Sequence, residues 1–169
     1  MKQIKYIPFL FLLLLGFFSC DTYGDYEIEY SSIHPLGGKY RVIVTDEAGT
    51  QVYKNYCEIS NTIDGSTTQC WLRIGGYALS GSNAYSINGK INCDLGSLAF
   101  SGTDIENLAG NVATSTTTFT LTGGKVTLKG ATAPSGTVAD AISFTFTNSR
   151  FPGKTYKAEG YRFTGWAED

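Results

Sequence analysis

One histidine stands in the whole chain, His34, immediately before Pro35. A Ser or Cys nucleophile usually needs a His base. His34 falls at the entrance to the domain, where the chain reads as irregular, so a surface or packing role competes with a catalytic one. No G-x-S-x-G elbow occurs, the turn that exposes a hydrolase serine. Gly153-Lys154-Thr155 looks like the end of a phosphate loop, but Asn148 stands where that motif needs its first glycine, and a helix would have to follow. The acid pairs Asp46/Glu47, Asp104/Glu106 and Glu168/Asp169 fall in expected loops or the tail, whereas glycoside hydrolysis needs two carboxylates facing one cleft. With one His and no C-x-x-C, the sequence offers no metal centre. No catalytic set, metal or cofactor is expected.

The cysteines carry more information. Lys2 and Lys5 precede a twelve-residue apolar run from Ile7 to Phe18, then Ser19 and Cys20. The run is too short for a membrane span and fits a signal segment. An apolar run, a small residue and a Cys form the lipoprotein pattern, in which cleavage before the Cys is coupled to lipidation of its thiol. The expected division is a signal peptide over 1–19, a lipidated Cys20 and tether over 20–35, and a β-domain over 36–169. The expected partner of Cys20 is a membrane of the cell envelope, the outer membrane. Cys57, Cys70 and Cys93 remain. An exported protein allows a disulfide, and Cys57–Cys70 is the first pair to test. The alternative is that all three are buried small apolar side chains.

The elements that would position these residues are strands. The chain has 169 residues, 42% of them hydrophobic and 17% charged, with 20 Gly and 4 Pro. That composition excludes a disordered chain. Net charge is −2, and −4 without Lys2 and Lys5, so nucleic acid, whose phosphates demand a basic surface, is not an expected partner. From Gly37 onward, period-2 segments alternate with turn signals every 8 to 15 residues, the spacing of an all-β sandwich or barrel. Gly38 to Thr45 presents Tyr40, Val42 and Val44 on one face. Val52 to Ser60 and Thr68 to Ile74 follow. From Tyr85 to Cys93 one parity persists through Asn88-Gly89, which favours one long strand over a hairpin. Ser101 to Ser115 reads as a loop with one helical turn over Asp104 to Leu108. Gly123-Gly124 reads as a turn between two strands, and Ala131 to Ala139 as a loop. The total is eight or nine antiparallel strands, enough to close a barrel.

In the last strand Tyr156, Ala158, Gly160 and Arg162 share the inward face. Closure would bring Arg162 to Tyr40, either as a cation–π plug at one end or at a rim where its stem reaches water. The inward parity of Tyr53, Leu72, Ile87, Phe119, Leu128, Phe144 and Phe146 makes them candidates to line a ligand pocket. The same residues would equally make a packed core.

Gly38-Lys39-Tyr40 resembles the G-x-W that opens lipocalin-type (calycin) barrels, and Arg162 resembles the Arg that packs on that aromatic. Gly124-Lys125-Val126, Lys129-Gly130-Ala131, Pro134-Ser135-Gly136, Asp140, Thr155-Tyr156-Lys157 and Gly160 to Trp166 with Glu168-Asp169 are similar to the lipid-binding putative-hydrolase lipoproteins of Bacteroides-type bacteria. The resemblance implies an eight-to-nine-stranded calycin-like β-barrel lipoprotein that takes a lipid or other small hydrophobic ligand. It supplies no catalytic residues. The competing readings are a solid-cored barrel whose loops 75–83 and 101–115 contact an envelope protein, and a hydrolase using His34.

Overall fold

The computed structural model describes residues 29–75, 85–109 and 117–169. Cys20, the expected signal segment, most of the expected 75–83 loop and residues 110–115 of the expected 101–115 loop lie outside these residues. Eight strands run in chain order: β1 Gly38–Thr45, β2 Gln51–Asn61, β3 Gln69–Ile74, β4 Ile87–Asp94, β5 Ala99–Glu106, β6 Thr118–Thr132, β7 Val138–Asn148 and β8 Thr155–Arg162. Each pairs antiparallel with the next, and β8 pairs with β1, which closes an all-β barrel. Closure gives each strand a neighbour on both sides, which removes most of the open edge of a sheet. The alternation seen in the sequence becomes the wall. Tyr40, Val42 and Val44 on β1, Cys70, Leu72 and Ile74 on β3, and Ile142, Phe144 and Phe146 on β7 are all buried.

β4 runs unbroken through Gly89. A Cβ there would meet Ile105 Cγ2 at 2.6 Å and Phe119 at 2.7 Å, so the glycine makes room for side chains across the interior. The hairpin reading of Asn88-Gly89 is excluded.

Three loop expectations are corrected. Residues 101–106 are not loop and Asp104 starts no helical turn, because β5 continues to Glu106 by pairing Gly102 with Leu121 and Ile105 with Phe119. Two register shifts absorb the poor alternation, and Asp104 adopts φ 50° with its N–H donated to Thr120 Oγ1 at 3.1 Å. Gly123-Gly124 is not a turn but an irregularity inside the single strand β6. Gly123 takes φ 63°, as the extra residue of a β-bulge often does, and Gly124 lies under the Phe100 ring. The 131–139 loop shrinks to a turn between Thr132 and Val138, which pair.

Candidate ligand-binding barrel and its two ends

Inside the wall, aromatic rings form a column. Phe100 meets Phe144 edge-on at 5.6 Å, Phe144 meets Phe146 at 6.0 Å, and Phe146 stacks on Tyr156 at 5.5 Å. Of the residues expected to line a pocket, Leu72, Ile87, Phe119, Phe144 and Phe146 do face this interior. Each is at most 2% exposed, so no water-sized gap remains beside them. Tyr53 is half-buried and stacks on Tyr85 at 4.6 Å, and burial pushes its phenol pKa up. Leu128 does not line the interior. It is 51% exposed, because β6 overhangs β5, whose last paired position is Lys125 opposite Ala99.

The three thiols are free and buried. The expected Cys57–Cys70 disulfide is absent for a reason of register. Cys57 pairs with Ile74, whereas Cys70 pairs with Asn61. Four residues of ladder separate them, about 13 Å along the strand, beyond the roughly 7 Å that a disulfide spans. Burial drives the Cys57 and Cys70 thiols far above their ordinary pKa, which suits inert packing side chains.

One end of the barrel is tied by Arg162, which the closed sheet sets directly opposite Tyr40. Its guanidinium lies 4.9 Å from the Tyr40 ring centroid. Nε donates to Asp140 Oδ2 at 2.9 Å, Nη1 to the Gly37 carbonyl at 2.6 Å, and Nη2 to the Tyr40 hydroxyl at 2.8 Å and to the Pro35 carbonyl. The side chain keeps 28% of its surface exposed. The space a Gly38 Cβ would fill holds the Arg162 guanidinium, which is the physical content of the Gly-x-aromatic opening. The Tyr40 hydroxyl donates in turn to the Leu36 carbonyl at 2.7 Å, so the fully buried Ile33 and Leu36 are drawn under this end. Burial, the largest effect on Tyr40, raises its phenol pKa despite the opposing Arg162 charge.

At the other end, side-chain bonds among the described residues join neutral groups. Asn107 Nδ2 donates to the Ser86 carbonyl at 3.1 Å, and Asn148 Nδ2 reaches the same oxygen at 3.4 Å. Asn107 Oδ1 accepts from the Asn88 and Ala109 amides, each at 3.0 Å. Among the described residues, the buried Ser86 hydroxyl has no hydrogen-bond partner. Two surface clefts, of about 240 and 290 Å³, flank the β7–β8 turn here. This polar latch is not among the sequence expectations. Its signal was Asn148, which continues the inward parity of Phe144 and Phe146.

A larger groove of about 500 Å³ lies on the outer wall between Ile43, Lys54 and Tyr161 and the tail residues Ala167 to Asp169. The tail is held there by Asp169, which accepts from the Ser135 amide at 3.0 Å and from the Ser135 and Thr164 hydroxyls. His34 is exposed and stacks on Tyr30 at 4.0 Å. Among the described residues, no carboxylate pairs with its ring.

A closed eight-stranded antiparallel meander with a mainly apolar interior defines a β-barrel of calycin-like build. The family model described as "Lipid-binding putative hydrolase" matches residues 25–167, and the chain belongs to that family. Among the curated proteins, none matches this chain.

Proposed function

We propose that the protein is a non-catalytic lipid-binding barrel, anchored in the outer membrane through a lipid on Cys20, that admits the hydrophobic part of its ligand through the Asn148 end. The observation that carries this reading is the contrast between the two ends of one apolar interior. The Arg162 end holds charge-assisted bonds, each about 1.5–3 kcal/mol, whereas the neutral amide bonds of the latch are worth about 1 kcal/mol each. Among the described residues, the latch also leaves the Ser86 hydroxyl without a partner. An acyl chain entering there would displace Tyr53, Tyr85 and rings of the aromatic column, and each buried methylene returns about 0.8 kcal/mol. The family membership supports a lipid as ligand.

The test is a titration of the protein with a fluorescent fatty acid whose emission rises in apolar surroundings. Saturable one-to-one binding, competed by unlabelled fatty acid, is expected. The second reading, a solid barrel acting as an interaction scaffold, draws its support from the absence of water-sized gaps around Leu72, Ile87 and Phe146. A titration without saturable binding would favour it.

A further inference from the structure

Six large apolar side chains among the described residues stand exposed, and five of them gather at the Arg162 end: Tyr30, Ile63, Leu128, Val138 and Trp166. They come from four separate parts of the chain, which the topology collects. Tyr30 precedes β1. Ile63 sits in the β2–β3 connection, to which the N-terminal segment is tied by the Ser32 hydroxyl on the Ser66 carbonyl at 3.4 Å. Leu128 and Val138 belong to the overhanging β6–β7 hairpin. Trp166 is in the tail that Asp169 fastens to the same hairpin at Ser135. Ile63 is fully exposed at 106%, Trp166 at 60% and Val138 at 62%. Tips of this kind contribute nothing to the barrel core.

We infer that the Arg162 end is a bilayer-docking surface, which seats Ile63, Val138 and the Tyr30 and Trp166 rings in the interface of a zwitterionic phospholipid membrane. Trp and Tyr favour that boundary because each combines an apolar body with a polar tip. Asp64 follows Ile63, Glu168 lies two residues after Trp166, and the exposed Lys129 follows Leu128, so the surface carries both signs and suits a zwitterionic interface. This inference rests on the anchored reading above for the direction of approach. The first described residue, Glu29, lies nine residues after Cys20, a reach of at most about 32 Å. A strand of eight residues tilted in a barrel spans roughly 20 Å of height, so the tether alone permits either end to face the lipid. The exposed side chains choose between them. With the Arg162 end on the membrane, the Asn148 latch faces away from it, free to receive a ligand.

The test uses the full chain with its own N-terminus, reconstituted in phosphatidylcholine vesicles carrying bromine on the acyl chains near the headgroup. Trp71→Phe leaves Trp166 as the sole tryptophan. A second protein, carrying Trp71→Phe, Trp166→Phe and Ala48→Trp, places the sole tryptophan in the β1–β2 turn at the opposite end. Co-flotation with quenching of Trp166 and none of the Ala48→Trp probe is expected. Ile63→Ser with Val138→Ser should reduce the Trp166 quenching about twofold or more. Co-flotation with Trp166 unquenched, or with the opposite probe quenched equally, overturns the docking inference and leaves the anchored reading standing. Failure to float removes both.

Discussion

Replacing Arg162 with Met keeps the apolar stem that packs on Tyr40 and deletes the guanidinium. Four bonds go with it: the ion pair to Asp140, the carbonyls of Gly37 and Pro35, and the Tyr40 hydroxyl. Asp140 retains one donor, the Lys129 amide at 2.9 Å, and the Tyr40 hydroxyl retains Leu36. Breaking a fully buried pair costs about 3–5 kcal/mol. Here the two side chains keep 28% and 19% of their surface exposed, so the lower bound, about 3 kcal/mol, applies after solvent screening. For a domain of this size that lowers Tm by roughly 10 °C. Calorimetry and urea unfolding followed by near-UV dichroism read the loss. Tyr40→Phe alone should cost less, and the double variant should fall short of the sum by about 1 kcal/mol, because the two side chains share a bond and a cation–π contact. A Tm within about 2 °C of the parent, or strict additivity, would refute the reasoning that this contact ties the barrel end.

Gly160→Ala should abolish soluble expression, since the new Cβ would drive into the Arg41 carbonyl on the neighbouring strand and force β8 off β1; a folded variant of near-parent stability contradicts the close approach. Stability should fall with rising pH above 9, because Cys57, Cys70 and Tyr40 have folded pKa values raised above their ordinary 9.0 and 10.0. Groups so raised contribute full stability below the unfolded value and lose it as pH climbs, so urea midpoints between pH 8 and 11 should decline, and Tyr40→Phe should flatten the part above pH 10. Ser86→Ala should raise stability by about 1 kcal/mol, since it removes a buried hydroxyl that has no partner and whose burial is costly; a lower Tm would mean that the hydroxyl is satisfied.

Most of the wall was legible because one face of each strand is buried, so parity fixes which side chains point inward. Tyr40, Leu72, Ile87 and Phe146 follow that rule without exception. It failed where an extra residue resets the parity. Gly123 inserts a bulge in β6, so a single strand read as two with a turn between them, and β5 hid its continuation behind two further irregularities. Leu128 kept inward parity yet lies exposed, because parity does not report where the neighbouring strand stops. The cysteine pairing depended on register, which periodicity alone does not supply. The meeting of Arg162 and Tyr40 was readable from closure, whereas Asp140 and the carbonyls of Pro35 and Gly37 as partners were not. They come from three different parts of the chain that only the folded end brings together. The Asn107–Ser86–Asn148 latch was hidden for the same reason.

The most direct test of lipid binding is native mass spectrometry of the Cys20→Ala protein, which carries no lipid at that position. A bound mass that leaves on activation, and that organic extraction identifies as a fatty acid or phospholipid, is the result predicted. An apo mass that stays unchanged after incubation with a panel of fatty acids and phospholipids would contradict the carrier account and leave the solid barrel in its place.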